Sequence, residues 1–145
     1  MNYEEEKKMH VSFCGSYCHI CDWHTGKIRK TATAALDMVD EYGGFKRLFQ
    51  DKVGVDNLLH GLNMLAESSI CSGCKAETGA NERCAIRRCC SSRGFDLCSE
   101  CSEFPCETLK TNPGVTKFHC IENLFKINEI GIRKWIDQQW SEYSN

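Results

Sequence analysis

From about residue 24 to residue 42 apolar side chains recur at steps of four and three, at Ile28, Ala32, Ala35, Val39 and Tyr42, and Gly43-Gly44 supplies a stop. That periodicity predicts an amphipathic helix. A short turn-helix is expected around Phe45 to Gln50. Val55, Leu58, Leu59, Leu62 and Leu65 then form one apolar stripe at i, i+3, i+4, i+7 and i+10, the clearest helical signal in the chain. Between Ser68 and Thr108 the periodicity stops, and Gly73, Gly79 and Gly94 punctuate a stretch that reads as loops, knuckles and one short helix. Helical signals return at Asn112-Pro113, where Asn112 can cap free amides and Pro113 suits the first helical position. Phe118, Ile121 and Phe125 follow on one face of that helix, and Gly131 closes or breaks it. Ile132, Trp135, Ile136 and Trp140 mark a final helix. No convincing strand alternation occurs, so the expected fold is mainly α, a helical body carrying an irregular cysteine-rich insert.

Composition changes the picture in one respect. Twelve of the 145 residues are cysteine, a density near the level that signals a stapled or metal-held fold. Without them the apolar supply is lean for a core of this size. The expected organisation is a single domain spanning 1–145. It comprises a cysteine triplet within 1–22, helices over 23–67, a cysteine-rich insert over 68–108 and C-terminal helices over 112–145.

Charge removes some functions. Eighteen Lys and Arg against 20 Asp and Glu leave a formal charge of −2, which disfavours a general nucleic-acid or anionic-membrane binder. The start, Met1 to Lys8, is acidic and then basic without an apolar run, so no secretory signal is read there. No stretch approaches the ~20 apolar residues of a membrane span. The expectation is a cytoplasmic protein, where thiols stay reduced and closely spaced cysteines favour metal over disulfides.

Within the insert, Cys71-Ser72-Gly73-Cys74 and Cys98-Ser99-Glu100-Cys101 have the two-residue spacing that lets one turn aim two sulfurs at one ion. Cys84, Cys89, Cys90 and Cys106 bring the insert to eight cysteines, enough for two four-thiolate zinc sites. One arrangement uses Cys71, Cys74, Cys98 and Cys101, with Cys84, Cys89, Cys106 and an N-terminal cysteine in the other. Sequential use of Cys71, Cys74, Cys84 and Cys89 fits nearly as well. Of the adjacent pair, Cys89 is taken as the ligand and Cys90 as a spare thiol, with redox sensing as a less favoured use. Arg83, Arg87, Arg88, Arg93 and Lys75 lie among these sulfurs. They read as cations offsetting anionic metal sites, in preference to a phosphate-binding patch.

Cys14, Cys18 and Cys21 form a C-x3-C-x2-C triplet, the spacing with which radical S-adenosylmethionine enzymes hold an iron–sulfur cluster. Those enzymes need a large α/β barrel, which this short helical pattern excludes. A closed site is expected, completed by Cys120, an insert cysteine, or His19, His24 or His119. An iron–sulfur cluster on the triplet is the alternative cofactor. No hydrolase, nucleotide-binding or metalloprotease motif is present, so no catalytic residue is assigned. Any partner would be a protein or a second copy meeting the aromatic C-terminal helix through Trp135 and Trp140; a third reading is an interaction module presenting that face or Arg87, Arg88 and Arg93.

The residues Cys14-Gly15-x-x-Cys18-x-x-Cys21, Cys71-x-Gly73-Cys74, Cys84-Ala85-Ile86-Arg87-Arg88-Cys89 and Cys98-Ser99-Glu100-Cys101-Ser102-Glu103-Phe104-Pro105-Cys106-Glu107 resemble the uncharacterised prokaryotic family labelled domain of unknown function 3795. Glu122-Asn123-Leu124 and Ile127-x-x-Ile130-Gly131-Ile132-x-x-Trp135 are similar to that family's tail. The resemblance implies a cysteine-rich cytosolic protein that binds metal, and it implies no established reaction.

Overall fold

The computed structural model describes residues 1–41, 43–52, 54–68, 71–77 and 82–144. Tyr42, expected to end the first helical stripe, and Gly79 lie outside them. Among the described residues there are nine α-helices, two 3-10 turns and no strand beyond an isolated antiparallel bridge between Val11 and Tyr17. The mainly α fold is as the periodicity predicts. No helix among these residues is long and apolar enough to cross a membrane.

The chain divides into two compact units, one made of 1–21 together with 72–145 and the other of 22–71. The second contains α2 (Lys27–Asp40), α3 (Gly44–Phe49) and α4 (Val55–Glu67), with α2 packed against both α3 and α4. Gly43, in the left-handed region at φ +65°, makes the turn into α3. Arg29 Nε donates to the Ala66 carbonyl at 2.9 Å, tying α2 to the end of α4. The ends of this unit also meet. The Cys71 amide donates to Trp23 O (3.4 Å), and the Cys71 carbonyl lies 2.7 Å from His24 Nδ1.

The first unit begins with α1 (Tyr3–His10), which the sequence pattern did not predict. Its residues are charged all round, yet Asn2 caps it by accepting from the Glu5 amide (3.4 Å), and acidic residues fill its first turn while basic ones fill its last. A tight turn and the 3-10 turn Cys18–Ile20 follow. After the crossing at 71–72 come α5 (Ala85–Ser92), a second 3-10 turn (Cys98–Glu100), α6 (Glu107–Lys110), α7 (Pro113–Lys117), α8 (Cys120–Ile130) and α9 (Ile132–Ser144). The helix expected to run through Phe118, Ile121 and Phe125 is two helices. His119 adopts φ +51°, the left-handed region, and breaks the run so that α8 starts afresh at Cys120.

Two apolar clusters hold this unit. In one, Val11, Tyr17, Leu97, Leu124, Ile127, Trp135 and Ile136 pack together, with Trp140 against their edge. In the other, Phe13, Ile86, Leu109 and Val115 surround the buried thiols of Cys90 and Cys120. Cys14, Cys74, Cys84, Cys98 and Cys106 line its partly buried margin. The lean core is therefore completed by sulfur, as the composition suggests.

Candidate metal centre

Three hydrogen-bonded turns position Cys14, Cys18, Cys21, Cys98 and Cys101 in the first unit. The turn at Ser12–Ser16 is organised by buried Ser12. Its amide donates to Ser16 O (2.9 Å), its carbonyl accepts from Gly15 N (3.1 Å), and its Oγ accepts from the Ser16 amide (2.8 Å). Gly15 enables this turn with φ +96°. The turn carries Cys14, whose Sγ lies 3.2 Å from Ser12 Oγ and 3.8 Å from Cys120 Sγ.

The remaining two turns are alike. Cys18-His19-Ile20-Cys21 and Cys98-Ser99-Glu100-Cys101 each close with the last cysteine's amide donating to the first one's carbonyl, at 3.0 Å and 3.2 Å. Each follows a buried extended residue, Tyr17 or Leu97, and each ends in an extended cysteine. Two-residue spacing thus folds into the same knuckle twice. The Cys98 amide also donates to Phe13 O (2.8 Å), which places the second knuckle beside the turn carrying Cys14.

The insert cysteines converge from several elements. A small apolar cavity of about 40 Å³ is lined by Cys89 and Cys90 from α5, Cys98 and Cys101 from the knuckle, and Cys106 at the start of α6. Cys90 is buried, with its Sγ 3.7 Å from that of Cys98. Its neighbour Cys89 is exposed at the rim, since successive helical residues point about 100° apart. Phe104-Pro105 is a cis peptide leading into Cys106. Arg93 caps the cavity: its guanidinium donates to Cys101 Sγ (3.3 Å) and to Glu103 Oε2 (3.0 Å). Arg87 Nε donates to the Cys74 carbonyl at 2.8 Å and so ties α5 to the end of the Cys71-x-x-Cys74 segment. These two arginines therefore have partners within the cysteine-rich region.

The other candidate cysteines are distributed as follows. Cys74 and Cys84 pack at the margin of the cluster containing Cys120. The carbon of a side chain added at Gly73 would lie 3.5 Å from Cys18 Sγ, an ordinary contact, so it is the backbone at φ +100° and not crowding at that sulfur that favours glycine there. Cys21 ends the first segment of this unit, and Cys71 ends the second unit. All twelve cysteines are free of disulfides.

Electrostatics distinguishes these thiols. The hydrogen bond shared with Cys120 pulls the Cys14 pKa down to about 6, against the opposing effect of burial. Cys120 is pushed up, first by that same hydrogen bond, then by burial and by the charges of Cys14 and Cys74, so it retains the proton of the pair. Burial raises Cys90 and Cys98 as well, with the other sulfurs adding to the rise at Cys98. A crowd of desolvated sulfurs resists holding several negative charges together. A cation placed among them removes that penalty.

Two groups escaped the reading of the sequence. Cys90, treated there as the spare of an adjacent pair, is the buried member facing Cys98. Glu6 and His10 lie on α1, whose acidic-then-basic composition gave no apolar signal, although their i, i+4 spacing marks one helix face. Trp135 is buried in the core and Trp140 packs against His19 at 5.1 Å between centroids, so much of the aromatic stripe is used inside the unit.

Fold and site together define a small helical protein whose packing is interleaved with free cysteines. The chain belongs to the family described as Protein of unknown function (DUF3795), whose sequence profile matches residues 10–111. Cys120 and the last three helices, α7 to α9, lie beyond the matched region. No curated protein and no solved structure matches the chain.

Proposed function

We propose that this protein binds zinc through cysteine thiolates and that the metal organises the first unit. The observation that carries this reading is the spacing of sulfurs. A zinc ion with four thiolates at about 2.3 Å sets its sulfurs about 3.8 Å apart along each tetrahedral edge. Cys14 and Cys120 stand at 3.8 Å, and Cys90 and Cys98 at 3.7 Å, far beyond the ~2.05 Å of a disulfide. The donor set fits as well, since five cysteines present soft sulfur to the cavity and, among the described residues, its lining holds no carboxylate or imidazole.

On this reading one group draws on Cys90, Cys98, Cys101 and Cys106, with Cys89 at its rim. A second is built on Cys14 and Cys120 with Cys74 and Cys84 beside them. Arg93 offsets the negative charge of the first group by its bond to Cys101. The test is anaerobic purification without added metal, elemental analysis and an absorbance spectrum. Stoichiometric zinc in a colourless solution, reduced by Cys98→Ser and by Cys120→Ser, is the expected result. Iron with acid-labile sulfide and a broad visible band would replace zinc by a cluster, and protein free of any retained metal would overturn the proposal.

A further inference from the structure

A second kind of donor set lies apart from the sulfurs of the cavity. Glu6 and His10, one turn apart on α1, meet His19 from the first 3-10 turn, and one ligand atom from each lies within 4.8 Å of the others. His19 Nε2 is 3.0 Å from Glu6 Oε1. The rings of His10 and His19 are 4.3 Å apart between centroids, tilted by 44°. All three residues are half-buried. We propose that Glu6, His10 and His19 bind a divalent cation of the zinc class as a two-histidine, one-carboxylate site.

Several observations make this more than an ion pair. The carboxylate is oriented from outside the triad: the Tyr17 hydroxyl donates to Glu6 Oε1, the oxygen that also faces His19, which leaves Oε2 for an ion. A ligand held by such a partner is the usual arrangement around protein metals. The backbone is fixed on both sides by the Val11–Tyr17 bridge and by α1 packing against α9. Tyr17 and Trp140 wall the site edge-on and at a tilt, with centroids 5.2 Å and 5.1 Å from His19. That shelter lowers the local dielectric and strengthens coordination. An ion with bonds of about 2.0–2.1 Å needs ligands about 3.3 Å apart, a contraction that side-chain rotation can supply. Three protein ligands leave a position for water or for a small anionic ligand.

His19 stands between Cys18 and Cys21, so changes there could disturb the thiols; Glu6→Gln and His10→Gln on α1 do not carry that ambiguity. Cobalt(II) is the probe, added to protein that retains its resident metal. One equivalent should bind with d–d absorption and no thiolate-to-cobalt charge transfer. Binding should weaken at least about 10-fold in either variant, with the resident metal count unchanged, and by about 10-fold in Tyr17→Phe, which loses only the outer hydrogen bond. In the unaltered protein, cobalt should shift the ring protons of His10 and His19 before those of His24, His60 and His119, a readout that does not depend on any variant folding. No uptake, uptake equal in the unaltered protein and both variants, or paramagnetic shifts centred on other histidines would overturn the site. Because these readouts concern nitrogen and oxygen donors, they can fail while the cysteine sites stand.

Discussion

Gly15→Ala is the sharpest perturbation of the region that brings Cys14 to Cys120. At φ +96° the backbone is one that a residue with a Cβ resists, a cost of about 1–2 kcal/mol. Space is a separate matter. The new methyl would stand 2.7 Å from the Cys120 carbonyl oxygen and 2.7 Å from Leu124 Cγ, with Leu124 Cδ2 at 3.1 Å. One of these neighbours is backbone and the other fully buried, so neither can yield cheaply, and overpacking of this kind costs about 1–3 kcal/mol. Together the loss is about 2–5 kcal/mol. The start of α8 must retreat, straining the hydrogen bond from Asn123 Nδ2 to Gly15 O at 2.9 Å and drawing Cys120 away from Cys14. Urea unfolding, followed by the fluorescence of buried Trp135, should show a lower midpoint with unchanged slope, and if the cysteines hold zinc as proposed, the metal content should fall as well. Gly94→Ala is the control. It has φ +73° and nothing within 4 Å of the added carbon, so it should lose only the backbone contribution of about 1–2 kcal/mol. If Gly15→Ala costs no more than Gly94→Ala, the close approach of these two segments is wrong.

Other expectations can be checked separately. Asn112→Ala removes the acceptor for the Gly114 and Val115 amides, at 2.9 Å and 3.2 Å, and should cost about 1 kcal/mol in thermal unfolding; no change would refute the cap. Leu124→Ala, at a fully buried position touching both Gly15 and the core, should destabilise by about 2–5 kcal/mol in urea. Burial and the bond to Glu6 raise the Tyr17 pKa, so its favourable contribution is complete below the unfolded value of 10.0 and declines as pH rises above it. The decline is up to about 1.4 kcal/mol per pH unit. Tyr17→Phe should flatten that slope, and tyrosinate absorbance in the unaltered protein should show one tyrosine ionising only with unfolding. In metal-free reduced protein, with Cys14 at about 6 and Cys90, Cys98 and Cys120 raised, iodoacetamide at pH 7 should modify Cys14 ahead of those three, as read by peptide mass mapping.

The elements legible in the sequence are those that bury a stripe. Helix α4 begins at Val55, where its apolar series begins, and α9 begins at Ile132, immediately after Gly131. Helix α1 was invisible because its order comes from the Asn2 cap, its charges and packing against α9, none of which leaves an apolar period. The break at His119 was hidden for a different reason: its neighbours continue a helical pattern, and a left-handed residue at a non-glycine position leaves no mark in that pattern. Spacing located the Cys98–Cys101 knuckle, whose closure is local, whereas the matching closure at Cys18–Cys21 lies inside what reads as a C-x3-C-x2-C triplet. Spacing could not pair Cys14 with Cys120, 106 residues apart, since that neighbourhood is created by Leu124 and Asn123 meeting Gly15 from the far end of the chain.

The division of the first unit into 1–21 and 72–145 has a consequence for the order of synthesis. Val11, Tyr17 and the thiols of Cys14, Cys18 and Cys21 emerge early, yet the partners Leu97, Cys120, Leu124 and Trp135 emerge late, whereas the stretch 22–71 is continuous and has its own contacts in hand much sooner. At roughly 5–20 residues per second, the ribosome needs on the order of 5–20 s between Cys14 and Cys120. Throughout that interval the N-terminal cysteines belong to a nascent chain without their final neighbours, open to whatever metal or oxidant the surroundings offer. If the cysteines hold zinc as proposed, the sequence order makes metal supply during translation, and not only affinity after it, a determinant of which ion is captured.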